Sequence, residues 1–370
     1  MNTPVFIVDE DLIRKNCETL ASVKERTDCK ILLALKGFAM WPLFPMIREY
    51  LDGVCASSPW EARLGREAFG KEVHAFAAAY SEADFAELLT LCDEIDFNSF
   101  NQLECFRIAG GSPAPKFGLR INPECSTQPA EHAIYDPCAP KSRLGIRRAD
   151  FEGRDLTGIS GLHFHTLCEQ NSDDLETTLK AVEEQFGDIL PQMEWVNFGG
   201  GHHITRDDYD IDLLCKLIND FKAKYDVQVI LEPGEAVALN AGVLVSTVLD
   251  IIDNDGPIAI LDCSCTCHMP DVIEMPYRPE IEGAGLPDEK GYTYKLGGLS
   301  CLAGDVIGDY SFDEPLKPGD QLIFQDMAHY SMVKTTFFNG IQHPDIAIRR
   351  NGQVEVVRSF SYSDYKNRLA

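Results

Sequence analysis

Four groups of residues have types and spacings suited to chemistry. Lys36 ends the apolar run ILLALK, with no acidic residue beside it in sequence. An amine desolvated by such surroundings loses affinity for its proton and becomes nucleophilic toward a carbonyl, as Schiff-base chemistry requires. A lysine at the solvent end of a strand reads the same way, so the residue alone decides nothing. Gly199, Gly200 and Gly201 in NFGGGHH let a backbone approach a phosphate closely, with successive N–H groups forming an anion-binding nest. Any tight turn also uses glycine. Glu232 in LEPGE stands before a Pro-Gly turn, where a carboxylate could pair with a protonated heterocyclic nitrogen. His163 and His165 are two apart, so a strand turns both to one side. One of them could stack on a cofactor ring; His163 reads better as a hydrogen-bonded packing residue.

Positioning these groups is the task of a repeating pattern. Short apolar runs at 30–37, 53–57, 72–79, 94–100, 116–122, 159–166, 194–201 and 228–234 alternate with segments of three- and four-residue apolar spacing, such as SEADFAELLTL and SDDLETTLKAVEEQF. Eight such units predict a parallel (β/α)8 barrel over 12–240. A barrel keeps its site at the C-terminal strand ends, and those ends are Lys36, Ser57, Asn98, Arg120, His165, Gly199–Gly201 and Glu232. Phosphate sites in barrels often follow strands seven and eight, which favours the glycine run. The Pro- and Cys-rich stretch 123–155 is longer than an ordinary connection and is expected to belong to the site. After residue 240 helical periodicity fades, and 241–370 predicts a mostly antiparallel β domain, joined by a strand within 1–11.

A formal net charge of −26 argues against a nucleic-acid partner, because such binding runs on phosphate neutralisation by Lys and Arg. It suits cationic small molecules, although it also serves plain solubility. No apolar stretch reaches membrane-spanning length, and MNTPVFIVDE does not read as a secretory signal. Thirteen cysteines then predict reduced thiols and a cytoplasmic protein. Cys263, Cys265 and Cys267 beside His268 would share one strand face, but structural zinc sites use CxxC pairs. They read as small buried residues, and no metal is expected.

The order of Lys36, HFH, GGG and EPG, followed by CLAGD at 301–305 and AHYSM around Tyr330, resembles the alanine-racemase-type pyridoxal-phosphate (PLP) decarboxylases. LALKGFAMWPLFP, CASSPWEARLG, HFHTLCE, NFGGGHHIT, LEPGEA, MPYRPEI and FFNGIQHPDI narrow the resemblance to the carboxynorspermidine/carboxyspermidine decarboxylase family, across essentially the whole chain. The resemblance implies that Lys36 binds PLP covalently, Glu232 binds the pyridine nitrogen, and His165 stacks on the ring. Gly199, Gly200 and Gly201 would cradle the phosphate, with Cys168 and Tyr330 close to the cofactor. Cys301 of the partner subunit, in a homodimer with shared sites, would protonate the carbanion or act near it. Arg278 would hold a substrate carboxylate, and Glu274 or Asp305 an ammonium group.

Departures accompany the resemblance. Glu235 stands where ornithine decarboxylases carry a phosphate-binding arginine, so the phosphate would lean on backbone amides. Leu302 stands where they and the diaminopimelate enzymes carry an acid, which argues against ornithine and diaminopimelate as substrates. His202 and His203 have no assigned role. Diaminopimelate or another basic amino acid remains the alternative substrate of the same fold. An alanine-type racemase would place arginine, not glutamate, at the pyridine nitrogen, and a PLP carrier would lack the second domain. A metal-dependent barrel hydrolase would use His163, His165, His203 and Glu232 as ligands, leaving Lys36 and the glycines unexplained.

Overall fold

The computed structural model of the chain describes residues 2–106 and 115–370. It divides into two compact units, Arg14–Val237 and the residues up to Ile13 together with Ala238–Ala370. Strand β1 (Val5–Asp9) belongs to the second of these.

In Arg14–Val237 the eight apolar runs become β2 (Lys30–Ala34), β3 (Gly53–Ala56), β4 (Glu72–Phe76), β5 (Glu94–Phe97), β6 (Lys116–Asn122), β8 (Ile159–His163), β9 (Trp195–Asn197) and β10 (Gln228–Leu231). All pair in parallel, in the order β5-β4-β3-β2-β10-β9-β8-β6, and β5 also pairs β6. That last pairing closes the sheet on itself and removes its edges. The expected barrel is present.

Its interior is packed. Trp195 lies across Gly118 and Gly161, where an added Cβ would stand 2.3 and 2.1 Å from the indole. Glycine inside those two strands is what lets one large ring fill the barrel with Leu32 and Ile230. Ser58 and Ser81 accept the amides of Glu61 and Asp84, capping helices Pro59–Leu64 and Glu82–Leu91. The long 123–155 connection contains only short elements, among them β7 (Ile146–Arg147), which pairs β6.

The other unit is a sheet built from β1, β11 (Gly242–Asp253), β12 (Pro257–Leu261), β13 (Tyr292–Gly297), β14 (Val306–Phe312), β15 (Gln321–Phe324), β16 (Asp345–Arg350) and β17 (Gln353–Arg358). The pairings β1–β16 and β12–β13 are parallel and the rest antiparallel, so the sheet is mixed rather than mostly antiparallel. Its core gathers Phe6, Leu244, Leu261, Tyr310 and Phe324. Cys265 and Cys267 do not share a strand face: Cys265–His268 is one helical turn, capped by Ser264 Oγ, which accepts the amide of Cys267. Among the described residues, no helix is long and apolar enough to cross a membrane.

Candidate active site

Strand ends of the barrel bring the predicted groups together. The backbone of Gly37, just after Lys36, packs on Gly234 of the EPG turn, where an added Cβ would come within 3.2 Å of Gly234 Cα. Ala34 N donates to Pro233 O at 3.0 Å. These contacts bind the turn carrying Lys36 to the turn carrying Glu232, and they explain why both motifs contain glycine.

Lys36, Arg120 and His165 line a cavity of about 500 Å³, with residues 134–137 and 139–144 of the long connection forming much of its wall. Stretch 123–155 therefore does contribute to the site. Lys36 is exposed in this cavity, on the turn after β2. The desolvation expected from ILLALK is not what this unit's side chains provide, because the strand ends two residues before the lysine.

His165 is held by the glycine run. Gly200 donates its amide to His165 Nδ1 at 2.8 Å, so that nitrogen is an acceptor and the ring is neutral. Burial, aided by Lys36 and Arg120, pushes its pKa well below the ordinary histidine value. Gly199 donates its amide to Asn197 Oδ1 at 2.8 Å, and Asn197 Nδ2 donates to Glu232 Oε1 at 2.7 Å. Two of the three amides expected to cradle phosphate are thus committed to positioning His165 and Asn197. Gly199 and Gly201 have left-handed φ of 72° and 80°, and a Cβ on Gly201 would lie 1.9 Å from Leu167 O. Compact backbone packing, as much as anion binding, requires these glycines.

Arg120, one of the strand ends, joins the site together with Asn197 and Asp96, which the motifs do not mark. Arg120 is buried, donates from Nη2 to His165 O at 3.1 Å and lies 4.6 Å above the Phe76 ring. Burial lowers its pKa to about 10. The signal for all three was available: each is a polar residue inside an apolar run, facing a barrel interior.

His202 is a packing residue, buried with Nδ1 3.4 Å from the Tyr209 hydroxyl, and burial pushes its pKa down to about 4. His203 Nε2 stands 3.2 Å from Glu235 Oε2, so the glutamate that replaces the expected arginine has an imidazole partner. Cys168, three residues after His165, is half-buried, its amide 3.5 Å from Gln170 Oε1. The four-residue metal set His163, His165, His203 and Glu232 does not converge. Among the described residues the two groupings within 4.8 Å are instead Glu72–His74–Glu94 and Glu169–His203–Glu235. In the former, Lys30 Nζ already pairs Glu72 at 2.7 Å.

The remaining predicted residues belong to the second unit. Cys301 and Leu302 are exposed, and Cys301 N donates to Asn339 Oδ1 at 2.7 Å. Tyr330 has a left-handed φ of 47°, uncommon for so bulky a side chain. Arg278 stacks 3.8 Å above Tyr310 and donates to Asp309 O and Gly285 O. Glu274 and Asp271 share Lys334. Asp305 requires a correction. It is buried, and its carboxylate accepts from Ser264 Oγ, Cys265 N and Ser300 N at 2.8–2.9 Å. A carboxylate so saturated anchors loops and has no capacity for a substrate ammonium group.

An amine, a neutral imidazole and a carboxylate at adjoining strand ends fit an aromatic aldehyde with a basic ring nitrogen. A family model described as pyridoxal-dependent decarboxylase, C-terminal sheet domain, matches residues 6–328. The chain belongs to the pyridoxal-dependent decarboxylases. It is 47% identical to a carboxynorspermidine/carboxyspermidine decarboxylase of Campylobacter jejuni, covering 100% of this chain and 98% of the relative. It is also 47% identical to a carboxyaminopropylagmatine decarboxylase of Synechocystis sp., covering 99% and 95%. The solved carboxynorspermidine decarboxylase complexed with norspermidine from Campylobacter jejuni matches it with a TM-score of 0.93 at 45% identity, each chain covered in full. The cofactor of this decarboxylase is PLP, and the site accommodates it. Lys36, Glu232 and neutral His165 are the groups at these strand ends that would hold it.

Proposed function

We propose that this decarboxylase acts on carboxylated polyamines, carboxynorspermidine and carboxyspermidine, releasing CO2 and norspermidine or spermidine in polyamine biosynthesis. The observation that carries the reading is 47% identity, end to end, with a relative named for both substrates. Equal identity to the carboxyaminopropylagmatine enzyme adds a third carboxylated amine of the same chemical class, with a guanidinium end.

PLP, when bound, supplies the electron sink that accepts the bond pair left when CO2 departs. The chain's own groups do the rest. Lys36 would hold PLP through its side-chain amine until the substrate's amino group takes that place. Glu232, held at Oε1 by Asn197, keeps the pyridine nitrogen protonated. Neutral His165, fixed by Gly200, covers one ring face without adding a competing charge. Gly201, whose amide donates to nothing among the described residues, serves the phosphate with Gly199 and Gly200 shaping the approach. Cys168 and Tyr330 would lie close to PLP, Cys301 of the partner subunit would supply the proton that replaces CO2 or act near it, and Arg278 and Glu274 would contact the substrate. A homodimer with shared sites completes this assignment. Thirteen free cysteines suit a reducing cytoplasm.

The test is CO2 release from carboxynorspermidine, carboxyspermidine, carboxyaminopropylagmatine, diaminopimelate and ornithine side by side. The carboxylated polyamines are expected to have the highest kcat/KM. Faster turnover of diaminopimelate or ornithine would overturn the substrate class while leaving the PLP chemistry standing.

A further inference from the structure

Behind Glu232 the barrel interior holds two more ionisable groups in line. His163 Nε2 lies 3.6 Å from Glu232 Oε2, and His163 Nδ1 lies 3.0 Å from Asp96 Oδ2. Asp96 comes from β5 and His163 from β8; they are 5% and 2% exposed. Each stands two residues before a strand-end residue, Asn98 and His165, so the period of two places both on the inward face, one layer deeper. Phe76 meets the His163 ring edge-on at 5.4 Å. Among the described residues, Asp96 Oδ1 and both ring nitrogens lack a conventional hydrogen-bond partner. The ring can be satisfied only through the two carboxyl groups that flank it.

An imidazole between two carboxyl groups poses a counting problem. If neutral, it has one N–H to give and one nitrogen that must receive. Either the ring is cationic between two anions, or one carboxyl group brings the second hydrogen. Burial favours the second arrangement, pushing His163 down to about 4 and Asp96 up to about 7. Arg120 and His74 favour an ionised Asp96, while Arg120, Lys36 and His74 oppose charge on His163 and Glu232 favours it; burial is the largest cause for both groups.

We propose that Asp96 and His163 are positioning residues for Glu232: Asp96, as the neutral acid, donates its O–H to His163 Nδ1, so that Nε2–H faces Glu232 and holds that carboxylate ionised toward the pyridine nitrogen. The inference rests on the assignment of Glu232 to that nitrogen. The 3.6 Å gap is of the kind that closes when a site is loaded. With Asn197 on one oxygen and His163 on the other, Glu232 has two donors stabilising its charged form, the condition for a protonated pyridine ring.

The test uses full-length, PLP-loaded protein and the variants Asp96→Asn, Asp96→Leu, His163→Phe and Glu232→Gln. PLP affinity by titration, the visible absorption band and the 15N shifts of the His163 ring are read together. Asparagine keeps a donor for Nδ1, so Asp96→Asn should match the wild type within about twofold, whereas Asp96→Leu and His163→Phe should weaken PLP about tenfold and shift the band. Ring shifts should show Nε2 protonated and Nδ1 bare in wild type and Asp96→Asn alike. Asp96→Asn as damaging as Asp96→Leu, or a protonated Nδ1, would mean that Asp96 is an accepting anion and would overturn the proposal. Normal PLP binding in both Asp96→Leu and His163→Phe beside an impaired Glu232→Gln would overturn it too. A silent Glu232→Gln would sink the assignment of Glu232 itself, and the inference with it. If Asp96→Leu fails to fold, the ring shifts and Asp96→Asn still decide.

Discussion

Gly200 donates its amide to His165 Nδ1 at 2.8 Å, and this one bond ties the glycine run to the ring that is to face the cofactor. The same glycine leaves no room for a side chain: a Cβ would stand 2.4 Å from Glu232 O and 3.5 Å from His165 Cε1. Backbone holds the near side of that clash, so no rotamer relieves it. Gly200→Ala is expected to cost about 1–3 kcal/mol of stability and to weaken PLP binding, because it displaces His165 and the Glu232 turn together. Chemical denaturation and PLP titration check it; an unchanged variant would show that the turn yields freely.

Glu232→Gln removes the charge assigned to the pyridine nitrogen while keeping the side chain's shape and its contact with Asn197. Turnover should fall on the order of 100-fold, the usual effect of deleting one preorganised electrostatic partner. Steady-state CO2 release measures it. A fall in kcat at little-changed KM is expected, since the lost interaction matters most as charge develops.

Asp96 carries a pH signature. Burial raises its pKa from 3.8 to about 7 in the folded protein. Between those values the folded state holds a proton that the unfolded state has released, so Asp96 contributes less stability as pH rises. Asp96→Asn has no proton to lose. Its stability relative to the wild type should therefore climb from pH 4 to pH 7 and level off above, by up to about 4 kcal/mol. Denaturation of both proteins at pH 5 and pH 8.5 tests this; a pH-independent difference would mean that Asp96 is ionised throughout.

The proposed sharing of sites across a homodimer makes a quantitative prediction. Inactive Cys301→Ala and Lys36→Ala proteins, mixed with free subunit exchange, should recover about one quarter of wild-type activity, since half the dimers are mixed and each has one intact site. No recovery, with exchange demonstrated, would place Lys36 and Cys301 in the same subunit's site.

Much of this was legible in the sequence, because strand ends are marked twice, by the end of an apolar run and by the Gly or Pro that follows. Lys36, Gly199–Gly201 and Glu232 carry that double mark, while His165, followed by Thr166, carries only the first. Residues one layer inward, Asp96 and His163, carry only polarity inside an apolar run, and their partnership crosses the barrel between β5 and β8. The exposure of Lys36 agrees with the solvent-end reading of ILLALK; a run of apolar letters does not itself show where pairing stops. Cys263, Cys265 and Cys267 alternate like a strand, but Ser264 and the buried Asp305, 41 residues away, turn the segment into a helix. The parallel pairing of β1 with β16 joins the two ends of the chain, and local pattern does not encode strand direction over that separation.

The identity of the lysine that holds PLP tests the account most directly. Borohydride reduction of the PLP-loaded protein, followed by peptide mass spectrometry, should find the phosphopyridoxyl group on Lys36, and Lys36→Ala should release no CO2 from carboxynorspermidine. The label on another lysine, or decarboxylation that survives Lys36→Ala, would contradict it.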